Sequence, residues 1–313
     1  RSRGLGDVYK RQGKTFGRKT MNSKKISSVI KGWLFIGFGT LIIVIFCFYP
    51  MIGALANSFQ TGMGMNLHFC GLANYKRLLV DPIFLSSVKN TFLYLIVQVP
   101  VMLFLAMLYA VLLNDKKLKC RSFFRIAIFL PCVTSLVAYA VLFKSLFSDS
   151  GFINQMLMTL HVIQSPIHWL TDAFWGKITI IIAITWRWTG YNMIFFLSAI
   201  QNIDPEIYEA AEIDGANVVQ KFFSITAPLL KPIILFTSIT SISGTLQLFD
   251  EVVNLTQGGP GNATITMSQY IYNLCFKYTP DFGYASAVSY AILLMIVVLT
   301  AIQFKVTGGK KND

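Results

Sequence analysis

Ionisable and polar side chains are rare in the apolar stretches of this chain, so the few found there stand out. Arg187 lies about 11 residues into the apolar run 177–200, close to mid-membrane depth if that run crosses a bilayer. A charge at such a depth costs roughly 2.5–3.5 kcal/mol on insertion scales. It must therefore face the interior of a bundle, a partner or water. Trp186, Trp188, Tyr191 and Asn192 flank it, and aromatic faces with polar tips suit the alternating apolar and hydroxyl surfaces of sugar rings. The same arginine could equally form an interhelical ion pair or hydrogen bond, with Asp250 or Glu251 as the acid. A second set, Gln247, Asp250 and Asn254, recurs at spacings of 3 and 4 in the apolar run 233–256. On a continuous helix these three share one polar stripe, which could line a solute pathway or meet another subunit.

The other concentration of chemistry is acidic. Between Ile203 and Pro232 the chain reads "IDPEIYEAAEIDGANVVQKFFSITAPLLKP", with five carboxylates (Asp204, Glu206, Glu209, Glu212, Asp214) in a protein of formal net charge +13. Asp204 is placed to cap a helix with Pro205 at its first position, where no backbone donor is needed. Ile203, Ile207, Ala210 and Asp214 follow at spacings of 4, 3 and 4. Gly215 then stands where the chain must leave the helix through a left-handed residue. A second short helix is expected to carry Val218, Phe222 and Ile225 on one face and to end at Pro228. An ordinary surface helix pair would present lysine and arginine to anionic lipid. An acidic face is repelled by such a leaflet and suits a protein partner better.

The elements that hold these residues follow from composition. The 313-residue chain is 54% hydrophobic and 13% charged, with a mean hydropathy of +0.58, whereas about 25% charged residues is usual for soluble domains. Six apolar runs reach the roughly 20 residues needed to span a bilayer: 33–53, 90–113, 122–147, 177–200, 233–256 and 284–304. The expected fold is thus an all-α polytopic membrane protein with six transmembrane helices. Counting lysine and arginine with the N-terminus inside puts twenty on inner segments and inner helix ends against six outside. By the positive-inside rule both termini face the cytoplasm. Residues 21–32 form a basic cytoplasmic N-terminus, 33–305 the membrane domain with its cytoplasmic loop at 201–232, and 306–313 a cytoplasmic tail.

Residues 1–20, "RSRGLGDVYKRQGKTFGRKT", are basic and aperiodic. With Met21 opening a natural membrane-protein start, they are expected to be a non-native leader resembling a translated adaptor or an upstream read-through, and they are set apart from fold reasoning. Their "GKT" does not make a phosphate-binding loop, because Val8 stands where that loop requires glycine. The five cysteines are scattered and odd in number, which argues against a disulfide framework. The three histidines fall in outer loops, where they read as solvated residues, so neither a metal site nor a nucleic-acid surface is expected. The stretch "QGGPGNAT" at 257–264 reads as a tight outer turn.

Glu209-Ala210-Ala211, three residues, Gly215, nine residues, Ile225, one residue, Ala227-Pro228 resembles the EAA motif of ATP-binding-cassette importer permeases. Ala227 replaces the usual leucine before the proline. The resemblance extends upstream through "WRWTGYNMIFFLSAIQNIDPEIYEAA" and downstream to "FDEVVNLTQGGPGNAT", covers roughly residues 30–305, and is similar to the carbohydrate-uptake branch (multiple-sugar, glycerol-phosphate or lactose/arabinose type). It implies a type I importer permease fold in the bacterial cytoplasmic membrane. The acidic loop would then be a coupling helix seated on an ATPase, with Glu209, Ala210, Ala211, Asp214, Gly215, Ile225 and Pro228 as its coupling residues. The implied partners are a second homologous permease, two ATPase subunits, an extracytoplasmic solute-binding protein and membrane lipid. ATP and Mg would bind on the ATPase and no cofactor on this chain, which would not itself be an enzyme. Arg187, Trp188, Tyr191, Asn192, Gln247, Asp250 and Asn254 become candidate pathway residues. Gly258, Gly259 and Pro260 become candidate contacts to the binding protein. A secondary transporter would instead show two related halves with interrupted helices. A membrane enzyme would need a catalytic cluster within the spans.

Overall fold

The structure, a computed structural model, describes residues 23–63, 66–115 and 117–308. The expected leader and the last residues of the tail lie outside that range. The chain divides into two compact units, Arg1–Ala54 and Leu55–Asp313. In the first, α1 (Ser23–Ile43) widens into a π-turn at Val44–Phe48 and continues as α2 (Tyr49–Ser58) across the unit boundary.

The second unit opens with a short antiparallel hairpin, β1 (Gln60–Met63) and β2 (Asn66–Phe69), in the register Gln60↔Phe69. The sequence reading did not anticipate this small exception to an all-α fold. Asn74, at the start of α3 (Ala73–Leu78), fastens it by donating to the carbonyls of Ser58 and Gln60 at 2.9 and 2.8 Å. Asp81 then caps α4 (Pro82–Asn114), accepting from the Ile83 and Phe84 amides, with Pro82 at the first helical position.

Four helical stretches are long and apolar enough to cross a membrane: Lys31–Ser58, Pro82–Asn114, Ala173–Gln201 (α8) and Phe282–Val306, within α15 (Phe282–Gly308). Two of the expected straight spans are bent, which corrects the reading from apolar runs. The third is a pair, α5 (Arg121–Val133) and α6 (Leu136–Leu146), at 101°. Thr134 leaves the helix in an extended conformation, and Ser135 starts the next one by accepting from the Ala138 amide. A helix followed by a fresh N-cap cannot run straight on.

The fifth expected span, 233–256, is also discontinuous. The second loop helix does not stop at Pro228. It runs as α10 (Val218–Lys221), a π-turn at Phe222–Thr226 and α11 (Ala227–Leu229), then bends by 70° into α12 (Lys231–Leu246). These two π-turns each end two residues before a proline, Pro50 or Pro228. A proline ring would strike the carbonyl four residues back, and a widened turn moves that carbonyl aside. After Leu246 the chain leaves the helix for three residues before α13 (Asp250–Leu255).

Irregular backbone inside a membrane protein needs internal hydrogen-bond partners, and here polar side chains supply them. Thr266 donates to the Leu248 carbonyl at 2.7 Å, Asn90 to Ile265 at 3.0 Å and Tyr94 to Thr264 at 3.2 Å. The Thr266 hydroxyl also caps α14 (Met267–Tyr272).

Because lipid is as apolar as the side chains, helix association rests on close packing and small residues. α4 and α8 lie side by side in the same direction. Tyr94 joins Ile180 and Ile184 in one buried cluster, and Ala106, Ala110 and Leu113 meet Met193, Leu197 and Ile200 in another. α5 crosses α8 at Gly190, where a Cβ would stand 2.0 Å from the Ile128 carbonyl oxygen. Only glycine permits that approach.

Candidate functional site: a polar cavity and an acidic helical loop

Where α12 breaks, a cavity of about 350 Å³ opens between α4, α8, α12 and α13, within the roughly 300–1,000 Å³ range of ligand pockets. Arg187 of α8 is 8% exposed and lines it. Its Nη1 lies 3.6 Å from Glu251 Oε1, and both side chains are buried. The guanidinium carbon is 5.2 Å from the Tyr139 ring centroid and 5.4 Å from that of Trp188. Among the described residues no hydrogen-bond partner reaches Arg187 Nε or Nη1. The ion pair thus balances charge while two guanidinium nitrogens, both buried, stay without a hydrogen-bond partner among the described residues.

Apart from Asp250, the rest of the lining is uncharged, with polar side chains beside aromatic and aliphatic ones. Asn192 donates to the Trp188 carbonyl at 3.1 Å, and the Ser241 hydroxyl lies 3.5 Å from its Oδ1. The Thr245 hydroxyl stands 3.2 Å from Gln98 Oε1. Trp188 and Tyr191 are partly exposed and meet edge to face at 5.8 Å. The cavity therefore gathers Arg187, Trp188, Tyr191, Asn192, Gln247 and Asp250 from the sequence reading.

Asn254 is separated from them. The break at Gln247 destroys the continuous stripe, and Asn254 donates to the Asp250 carbonyl at 2.8 Å instead. Gln98, Ser241 and Thr245 were not singled out from the sequence. A glutamine two residues before Pro100 within an apolar run was the available signal for the first.

The acidic loop is built as a rigid body. Asp204 accepts from the Glu206 amide and starts α9 (Pro205–Ile213). Gly215 has φ +77°, with Ala216 N–H bonded to Ala211 O and Gly215 N–H to Glu212 O, the pair of bonds that closes a helix through a left-handed residue. Asn217 and Gln220 exchange reciprocal side-chain-to-amide bonds, both 2.8 Å, at the start of α10. Two contacts then tie the helices together: Lys221 Nζ to Glu212 Oε1 at 2.6 Å, and Tyr208 Oη to Thr226 Oγ1 at 3.0 Å. The hydrogen bond and charge of Lys221 hold the Glu212 carboxyl below the usual range.

Glu209, Ala210, Asp214, Gly215 and Pro228 are exposed, with Ala211 and Ile225 half-buried. The loop also exposes Ile213 (87%) and Val218 (72%) beside its carboxylates. Exposed apolar side chains framed by charge occur where a protein meets another protein or a membrane.

The turn after α13 folds inward. Gly258 is buried against Gln269 and Thr264 is fully buried, while Pro260, after a cis peptide bond from Gly259, is exposed. Nearby, Asp81 Oδ2 accepts from both Tyr270 and Tyr284 at 2.6 Å, and Arg77 pairs with Asp281 at 2.8 Å. Partial burial works against the Asp81 charge, but the two phenols and two backbone amides outweigh it and lower its pKa.

Residues 79–307 match the family described as "Binding-protein-dependent transport system inner membrane component". The chain is 53% identical to the lactose transport system permease protein LacF of Rhizobium radiobacter, over 90% of this chain and 95% of that one. It is 38% identical to the arabinooligosaccharides transport system permease protein AraP of Halalkalibacterium halodurans, over 87% and 86%. Its fold matches a crystal structure of a bacterial ABC transporter involved in the import of the acidic polysaccharide alginate, with a TM-score of 0.80 and 23% identity, over 92% and 100% of the two chains. A break in the fifth span, a capped acidic loop and a match along most of the chain lead to one conclusion: this protein belongs to the inner-membrane permease components of binding-protein-dependent transport systems.

Proposed function

We propose that the chain is one permease of an importer that carries a carbohydrate across the bacterial cytoplasmic membrane, both termini lying in the cytoplasm. The observation that carries the reading is the acidic loop, a two-helix body with internal cross-braces and exposed apolar tips, placed directly before the broken helix that lines the cavity. Such a body can transmit a displacement only if a partner grips it. In this reading the partner is one of two ATPase subunits, which hold the ATP and Mg. Closure of the ATPase pair moves the loop, and α11–α12 carry the motion to the cavity.

A second homologous permease supplies the other wall of the pathway, and a solute-binding protein delivers the sugar to the outer face. Gly259 and Pro260 are available there, whereas Gly258 is not. The 53% identical lactose permease supports a disaccharide-sized cargo. Co-purification tests the assignment: an ATPase should accompany the chain in fixed ratio, and sugar-loaded binding protein should stimulate hydrolysis by the complex. A chain that transports in proteoliposomes without any ATPase would end this reading.

A further inference from the structure

The cavity's charges carry an inference about which carbohydrates it takes, and it rests on the sugar-pathway reading above. Three side chains of the charged types line the space: one guanidinium, Arg187, and two carboxylates, Glu251 and Asp250. Glu251 is buried and lies 3.6 Å from the guanidinium, so the two charges offset one another. Asp250 is exposed to the cavity, and among the described residues no cation is paired with it. The remaining lining offers neutral donors and acceptors, from Gln98, Asn192 and Ser241, beside the partly exposed faces of Trp188 and Tyr191.

We propose that Glu251 and Asp250 set this cavity for uncharged glycans and against acidic ones. Glu251 cancels the arginine that a uronate or sugar phosphate would otherwise seek. Arg187 Nε and Nη1 are themselves buried, so hydroxyl oxygens are met by the neutral polar side chains of the lining. Asp250 then contributes one uncancelled negative charge, which repels an anionic sugar and is indifferent to a neutral one. The same fold serves an alginate importer at 23% identity, so the fold itself does not dictate the charge of the cargo. Side chains at the cavity wall must do so.

The test uses the assembled complex in nanodiscs, held with ATP and vanadate and without binding protein. Binding is read by equilibrium dialysis of paired probes of nearly equal size: lactose with lactobionate, and maltose with maltobionate. In the parental complex at least one neutral sugar should bind about tenfold or more tighter than its acid, the scale of one unpaired charge about 12 Å away or nearer at an effective dielectric of about 20. Asp250→Asn should cut that ratio at least threefold. Glu251→Gln, which leaves Arg187 uncancelled, should invert it in favour of the acid. Among the described residues Asp250 makes no side-chain ion pair, so Asp250→Asn keeps the test decisive if Glu251→Gln fails to assemble. An unchanged ratio in Asp250→Asn, or equal binding of acid and neutral sugar by the parental complex, overturns the charge inference while leaving the sugar site standing. Failure of the parental complex to bind any of the four probes removes the sugar site itself, and this inference with it.

Discussion

Lys221 Nζ and Glu212 Oε1 stand 2.6 Å apart across the turn at Gly215, joining the two helices of the acidic loop. Lys221 is mostly covered, while Glu212 is largely exposed. Surface pairs contribute little to global stability, so the effect of this one should be local stiffness. Glu212→Gln and Lys221→Met are each expected to leave expression and melting temperature unchanged. Sugar-stimulated ATP hydrolysis should fall partially, and restoring the pair in reverse (Glu212→Lys with Lys221→Glu) should recover part of it. Normal stimulation in both single variants would show that the Tyr208–Thr226 contact braces the loop alone.

Arg187 and Glu251 permit a separation of structure from transport. Removing one partner of a buried pair typically costs about 3–5 kcal/mol, whereas replacing both with apolar groups is often neutral. Arg187→Met alone and Glu251→Met alone should therefore lower the yield of assembled complex. The double variant should regain assembly, measured by size-exclusion chromatography, yet remain defective in sugar uptake because the cavity wall has lost both charged groups. Full uptake by the double variant would confine the pair to a structural role.

Much of the acidic loop was readable from residues alone because its determinants are local. Asp204-Pro205, Gly215 and the spacing of the apolar positions act within one or two turns, and the structure follows them as far as Asn217. Pro228 misled, since a π-turn absorbs a proline that an ideal α-helix would not. The break after Leu246 was hidden for a different reason. Leu248 and Phe249 keep the run apolar, and the Leu248 carbonyl is satisfied by Thr266, a residue 18 positions further on. No local pattern reports a partner at that distance. The cavity was half visible: charged and aromatic members announced themselves by their cost in a membrane, while Gln98 and Thr245 acquire meaning only once α4 and α12 are adjacent.

Asp81 makes stability depend on pH in a stated direction. Its carboxyl is lowered in the folded protein by Tyr270, Tyr284 and the two cap amides. A depressed carboxylate contributes stability that is fully present above its unfolded value, near 3.9, and is lost as pH falls through the lower folded value. Asp81→Asn should destabilise the detergent-purified protein by about 1–3 kcal/mol, the range for losing hydrogen bonds to a charged group. The melting-temperature gap between parent and variant should be constant above about pH 5 and close below about pH 4. A gap that widens on acidification would contradict the assigned sign.

Gly190 tests the crossing of α5 and α8. A methyl there would sit 2.0 Å from the Ile128 carbonyl oxygen, so α5 must retreat. Gly190→Ala should cost about 1–3 kcal/mol, as overpacking does, and Gly190→Val more. The readout is the fraction of folded protein recovered from membranes, and recovery of Gly190→Val at the parental level would rule out so close an approach.

The decisive prediction concerns Gly215 and Glu209. At φ +77° a β-carbon on Gly215 would meet nothing within 4 Å, so substitution brings no clash with neighbouring residues. The penalty lies in the backbone itself, about 1–2 kcal/mol for a side chain in the left-handed region, and it is worst for a β-branched residue. Gly215→Val can escape that penalty only by turning the dihedral, which swings α10 against α9 and breaks the bonds from Ala216 to Ala211 and from Lys221 to Glu212. Asparagine tolerates the left-handed region, so Gly215→Asn should preserve the angle. Glu209 is exposed; in the proposed docking a basic group on the ATPase pairs with it, and Glu209→Ala removes that contact without touching the turn. All three variants should insert and fold, because no span changes. Uptake in proteoliposomes should fall sharply for Gly215→Val and Glu209→Ala, with the ATPase docking weakly or hydrolysing without transport, and stay near parental for Gly215→Asn. Equal uptake by Gly215→Val and the parent, with unaltered ATPase affinity, would mean that force does not pass through this loop.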